Sequence, residues 1–323
     1  MNRITAITVL ALSAMLICMS CCKENMPVID EEKEIPFLEE ITFENYPIVD
    51  GSTSTAPLNT IIACRLLGIR YEWALPLGGD WSVRPEFSGN LWEKIKVSQT
   101  HQSFINLINK DVNLTLSARK MSSDEKAFAE AAGVTLIETP IALDAFIFIV
   151  NPKNQIESLT TKQIQDIYTG KITNWNEVGG NNAEINPYVR NANSGSQELM
   201  DLLVMKDLEY FMGLPKYEEV VVSSMPGAFE VVGNDVNSLC YTVYYYKEQI
   251  VRGEGYVKTI TVDGIYPDKE TIGNRSYPHV AEVYAIIRAD LDKSSMAYKL
   301  YEWLQTEEGK DVIRESGYIP NVK

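Results

Sequence analysis

Apolar and polar positions along this chain repeat one order: a short apolar run, a turn rich in hydroxyl side chains, then apolar residues at helical spacing. The first instance is Tyr46-Pro47-Ile48-Val49-Asp50, then Gly51-Ser52-Thr53-Ser54-Thr55, then Leu58, Ile61, Ile62, Leu66 and Leu67. Ser and Thr occupy the cap positions, Pro57 suits the first helical turn, and Gly68 stops the helix. The second joins a strand at Ile95-Lys96-Val97 through Ser98-Gln99-Thr100-His101-Gln102-Ser103 to Phe104, Ile105, Leu107 and Ile108. The third joins a strand at Val112–Leu116, through the polar turn 117–125, to a helix over Lys126–Ala132. The fourth runs from a strand at Ile185–Val189 through Arg190-Asn191-Ala192-Asn193-Ser194-Gly195-Ser196 into Gln197, Glu198, Leu199 and Met200. Repeated strand, turn and helix predicts an α/β fold with open parallel sheets, whose ligands sit beyond the C-terminal strand ends where these turns lie.

Other segments complete the outline. Residues 142–150 read as a long buried strand containing one acid, Asp144, which needs a partner; Arg190 is the candidate. Thr160 and Gln163 form a capping box for a helix reaching Thr169, with Gly170 as its stop. Met296, Leu300, Trp303 and Leu304 form an amphipathic stripe; Gly309 interrupts or ends it, and Val312 and Ile313 begin a short last helix before Gly317. Residues 69–94, rich in Gly, Pro and Trp, predict a loop with short elements.

The turns also carry chemistry. A helix start leaves N–H groups unpaired at the positive end of the dipole and so attracts anions. In the fourth turn Gly195 allows close backbone approach, Ser194 and Ser196 add hydroxyl donors, and Arg190 adds a fixed charge with a planar fork of donors. On these residues alone an ordinary serine cap beside a surface arginine fits equally well.

Charge and cysteines narrow the class. The chain has 323 residues and a net charge of −15, which argues against nucleic acid or an anionic membrane surface as partner and leaves a small anion in a closed pocket open. Arg3 followed by an apolar run over 4–19 and then Ser20-Cys21-Cys22 reads as a signal peptide over 1–21; an uncleaved anchor helix is the alternative. The cysteine after a small residue resembles a bacterial lipoprotein signal, with Cys21 as the lipidated residue and Cys22 as the competing choice. Acidic residues 22–44 read as a tether. Cys64 and Cys240, both in apolar patterns, are expected as buried free thiols. With two histidines, His101 and His279, and no zinc-type spacing, Walker loop or nucleophile elbow, neither a metal site nor a cofactor is expected.

Five segments taken together resemble one family. DGSTSTAPL at 50–58, IYTGKITNWNEVGG at 167–180, RNANSGSQELM at 190–200, VDGIYPDKETIGNRSYP at 262–278 and SGYIP at 316–320 are similar, in order, to the PstS-type phosphate-binding proteins. The resemblance spans about residues 45–323 and implies a two-lobed type II periplasmic-binding-protein fold, each lobe a mostly parallel open sheet flanked by helices. Residues 45–142 and the return segment 279–323 would form one lobe, and 143–278 the other. The implied ligand set is Ser52, Thr53 and Ser54, then Thr100, His101 and Ser103, then Ser117 and Arg119, then Arg190 with Ser194, Gly195 and Ser196. Well-known members carry, at the turn matching 117–120, an Asp that accepts a hydrogen bond from protonated phosphate. Here Ser117 and Arg119 resemble another branch, with Ser117 a donor and Arg119 either binding the anion or facing solvent.

The resemblance implies a monomeric, non-enzymatic receptor in the bacterial cell envelope, in the periplasm or on the outer face of the membrane. It would capture inorganic phosphate or a similar oxyanion, pass it to an ABC permease, and touch the membrane only through its lipid. Alternatives are a receptor for another oxyanion or small phosphorylated ligand, a sensor without transport, or a hydrolase using Ser194 or Ser52 with His101 as base.

Overall fold

The structure, a computed structural model, describes residues 41–77, 79–87, 89–192, 194–212, 225–252 and 255–322. All lie within one compact unit, Phe37–Lys323. The signal peptide, Cys21, Cys22 and most of the tether lie outside the described residues, and no described helix is long and apolar enough to cross a membrane.

Strand β1 (Val49–Gly51) leads through Ser52–Thr55 into helix α1 (Ala56–Leu66). A Cβ on Gly51 would stand 2.6 Å from Thr55 Oγ1 and 2.8 Å from Leu116 O, so only glycine fits this crossing. Thr55 is the helix cap by position, yet its hydroxyl makes no capping bond and donates instead to Leu116 O at 2.9 Å. That bond fastens the turn to the neighbouring strand. Residues 69–94 form an antiparallel hairpin, β2 (Tyr71–Ala74) with β3 (Ser82–Pro85), and a single-turn helix α2 (Leu91–Lys94). The strand expected at 95–97 reduces to one bridge between Ile95 and Val49.

Helix α3 (Thr100–Ile108) buries Phe104, Leu107 and Ile108 on one face, and strand β4 (Leu114–Ser117) pairs parallel with β1. Helix α4 (Ser123–Ala131) begins earlier than the apolar pattern suggested, because Ser122 and Glu125 close a capping box. Strand β5 (Leu136–Val150) follows, then β6 (Ser158–Leu159) and α5 (Thr161–Tyr168). The Thr160–Gln163 capping box of α5 is present as expected, with Gly170 left-handed at φ 74°.

After a 3₁₀ turn at Trp175–Val178 come β7 (Asn186–Pro187) and α6 (Gly195–Leu199), which runs on as a π-helical segment Met200–Met205. Helix α7 (Met225–Asn234), strand β8 (Ser238–Val243) and a π-helical Tyr246–Val251 follow, then β9 (Lys258–Thr259), β10 (Thr261–Val262) and α8 (Lys269–Gly273). Strand β11 (Val280–Arg288), helices α9 (Met296–Trp303) and α10 (Glu307–Ser316), and β12 (Ile319–Pro320) end the chain. Gly309 neither interrupts nor ends a helix. It lies inside α10, where a Cβ would meet Trp303 O at 2.2 Å, and Thr306 caps the helix ahead of it.

The main sheet is mixed and runs β1-β4-β11-β5-β8-β7. Pairs β1–β4, β7–β8 and β6–β10 are parallel, whereas every pairing made by β5 or β11 is antiparallel. Strand β5 pairs with β11 up to Ala145 and with β8 from Phe146 onward. Its residues from Ile141 to Val150 are all buried, as an unalternating apolar run requires. Cys64 and Cys240 are buried free thiols, as expected.

Asp144 sits at this change of partner, and its partner is not Arg190. Its Oδ1 accepts the N–H groups of Ala145 at 2.8 Å and Tyr245 at 2.9 Å. A strand that leaves one sheet here needs backbone N–H groups bridged, and a carboxylate does that without a cation. Burial dominates those two bonds and pushes its carboxyl from 3.8 up to about 7. The unfolded chain therefore releases this proton first, and the contribution of Asp144 falls as pH rises from about 4 through 7. Urea titrations are expected to show this group costing on the order of 2 kcal/mol between pH 5 and pH 8. Asp144→Asn, which keeps the Oδ1 acceptor, is expected to remove that loss; an unchanged difference between the two pH values would refute the assignment.

Candidate anion-binding site

The turns at the strand ends converge on a cavity of about 490 Å³. Ser52, Thr53 and Ser54 enter from the β1–α1 turn, and Ser98 to Gln102 from the start of α3. Ala118 comes from the end of β4, Arg190 to Ala192 and Ser194 to Ser196 from the approach to α6, Met225 and Pro226 from the start of α7, and Val243 from the end of β8. Ligand sites beyond carboxyl strand ends are the general expectation for such sheets. Among the described residues the lining carries Arg190 and no carboxylate.

Arg190 is positioned through its backbone. Its N–H donates to Gln197 Oε1 and Tyr241 OH, both at 3.0 Å, and Tyr241 OH itself donates to Gln197 Oε1 at 2.6 Å. Gln197 Nε2 is in turn tied to Asp201 Oδ1 at 2.9 Å and Tyr210 OH at 2.8 Å. Arg190 is buried, 8% exposed, and burial draws its guanidinium below its ordinary pKa; an arginine still keeps its charge. Its Nη1 lies 3.2 Å from Met225 Sδ, and Ser196 Oγ lies 3.3 Å from the same sulfur. One point is thus within reach of both donors, and a soft, weak acceptor occupies it.

Ser194 caps α6 as the sequence predicts, its hydroxyl accepting Gln197 N–H at 3.1 Å. The N–H groups of Gly195 and Ser196 fall in the first turn, ahead of any intrahelical acceptor. Gly195 is required by its neighbour: a Cβ there would stand 2.9 Å from Thr100 Oγ1, at the start of α3. In the first turn Ser52 Oγ lies 3.2 Å from Ser54 Oγ and 3.0 Å from Thr55 Oγ1, so these hydroxyls form one connected set.

Nine of the twelve ligand residues implied by the resemblance line the cavity: Ser52, Thr53, Ser54, Thr100, His101, Arg190, Ser194, Gly195 and Ser196. Ser103, Ser117 and Arg119 are placed behind it. Ser103 Oγ donates to Thr100 O and Ser117 Oγ to Arg119 O, both at 2.8 Å, so each braces a turn from within. Arg119 neither faces solvent nor reaches the lining. Its Nη1 and Nη2 fork onto Glu125 at 2.7 and 2.8 Å, and its guanidinium packs over the Phe104 ring. Glu125 also accepts the Ser122 N–H at 2.8 Å and stands 2.9 Å from His101 Nδ1.

Gln99, Gln102, Asn191 and Met225 also line the cavity. The first three stand inside polar turns; nothing in the spacing points to Met225, at the start of α7. Gln99 has φ 69° and ψ 166°, a conformation that L-residues rarely adopt. This strain, on the order of 1–3 kcal/mol, turns the chain into α3 at the cavity edge. Gln99→Gly is expected to raise stability by about 1 kcal/mol once the greater flexibility of glycine is subtracted. A lowered melting midpoint in the variant would argue against strain at this residue.

A profile described as a PBP superfamily domain matches residues 92–308. The chain belongs to the PBP superfamily. Within the PBP superfamily, the phosphate-binding protein PstS of Borreliella burgdorferi is 28% identical over 216 residues, 66% of this chain and 74% of that protein. A Clostridium perfringens protein solved with bound phosphate superposes with a TM-score of 0.61 at 24% identity, covering 84% of this chain and 98% of the other. An ABC-type phosphate transport receptor from Vibrio cholerae superposes with a TM-score of 0.59 at 21% identity, covering 87% and 99%. These likenesses establish the type II periplasmic-binding-protein fold.

Proposed function

We propose that this PBP-superfamily protein captures inorganic phosphate and delivers it to an ABC importer. The observation that carries the reading is the convergence of Arg190, the α6 start at Ser194–Ser196 and the hydroxyls of Ser52–Ser54 on one cavity with no carboxylate among its described lining residues. Such a set of preorganised donors holds an oxyanion in place of its water shell. It supplies stabilisation and no bond-breaking step, which suits capture rather than turnover. The names of the relatives, PstS of Borreliella burgdorferi and the transport receptor of Vibrio cholerae, point to the same ligand.

In this reading residues 45–142 with 279–323, and residues 143–278, act as two lobes that close on the anion. The change of partner along β5 between Ala145 and Phe146 supports the division. An ABC permease is the partner, and lipid on Cys21 or Cys22 anchors the protein in the cell envelope, with the acidic tether as spacer.

Calorimetric titration of the purified protein with potassium phosphate is the direct test. Saturable binding is expected; no binding at millimolar phosphate sinks the proposal. Arg190→Ala is expected to weaken binding about 100-fold or more, the usual loss for a desolvated charge contact. Gly195→Ala, which forces Thr100 away from the start of α6, is expected to weaken it about tenfold without unfolding the protein.

A further inference from the structure

Donors alone hold phosphate and sulfate alike. The two anions differ in that phosphate near neutral pH keeps at least one P–OH proton and sulfate keeps none. A cavity separates them by presenting an acceptor held in a form that offers no proton, because an acceptor facing a bare oxygen sets lone pair against lone pair. The hydroxyls of Ser52, Ser54 and Ser196 rotate to suit either anion, and the amides of Gln102 and Asn191 can present either end.

His101 differs from all of these. Its Nδ1 stands 2.9 Å from Oε1 of Glu125, which is fully buried. The Glu125 carboxylate receives Arg119 Nη1 and Nη2 at 2.7 and 2.8 Å and the Ser122 N–H at 2.8 Å, so it only accepts, and the imidazole proton must sit on Nδ1. Arg119 also matches the charge of Glu125. The ring therefore meets an oriented acceptor from an ion pair with no net charge. Nε2, on the ring edge away from Glu125, makes no hydrogen bond to any described residue, and the half-exposed ring lines the cavity. In the neutral ring this nitrogen carries a lone pair directed away from the buried pair.

We propose that His101 Nε2 accepts the P–OH hydrogen bond of bound phosphate and thereby rejects sulfate, with Glu125 and Arg119 as positioning residues that fix its tautomer. This rests on the reading of the cavity as a phosphate site and adds to it the source of selectivity. It also gives buried Arg119 a role without contact with the anion.

Calorimetry of the full chain with potassium phosphate and potassium sulfate tests the proposal. The wild-type protein is expected to prefer phosphate by about 100-fold or more. His101→Phe keeps a ring of similar shape and removes both nitrogens. It is expected to lower phosphate affinity about tenfold and leave sulfate affinity unchanged or raised, so that the preference shrinks. A full preference in the Phe variant overturns the proposal. Equal wild-type affinity for both anions overturns it while leaving the oxyanion reading of the cavity intact, and binding of neither anion overturns both. Nitrogen-15 NMR of the His101 ring gives an independent readout: phosphate is expected to shift an unprotonated Nε2 and sulfate to leave it in place. A proton found on Nε2 at neutral pH overturns the assignment.

Discussion

One strand, β5, sets where everything else stands. It stays extended for 15 residues while its neighbour changes from β11 to β8. Ser52–Ser54, Ala118 and Val243 stand at the ends of β1, β4 and β8, strands of the same sheet as β5, so the register of the sheet bears on how they face one another. A slip of one residue would exchange the two faces of the strand and part Asp144 from the Tyr245 N–H that it accepts. The backbone N–H groups of Ala145 and Tyr245, held on one carboxylate oxygen, work against that slip at the point where the ladder has least support.

The second constraint is electrostatic. The chain carries a net charge of −15, yet its cavity is built to attract an anion. Exposed charges are screened beyond a Debye length of about 8 Å at physiological salt, so the distributed acid weighs little against near donors. Arg190 is buried and aimed through the Gln197–Tyr241 network, which places a full cation and a set of N–H and O–H dipoles within contact range. Local geometry outweighs the global field here.

The turns were legible because cap chemistry is local. Ser194 with Gln197 and Thr160 with Gln163 act over three residues, and both behave as their spacing predicts. Arg190 was legible as a cavity charge because it stands just ahead of a glycine- and serine-rich helix start. Long-range pairings were not legible. Asp144 was matched to the wrong residue because a backbone N–H from Tyr245, 101 positions away, leaves no trace in composition. Thr55 looked like a cap and is a strand fastener, since its hydroxyl finds Leu116 O across 61 positions. Arg119 looked like a ligand or a surface residue because its partner, Glu125, lies in the same polar turn with nothing in the spacing to pair the two.

The last residues of the chain reach back to its first turn. Tyr318 donates its hydroxyl to Ser54 O at 3.0 Å and stacks on Tyr245, with ring centroids 3.6 Å apart. Tyr245 is the residue whose N–H is held by Asp144. A segment next to the C-terminus thus braces a cavity wall made near the N-terminus, and it does so through the residue that steadies the crossing strand. The cavity wall therefore cannot be complete until the segment carrying Tyr318 has joined the fold. A chain that lacks Tyr318 would leave the first turn without its brace.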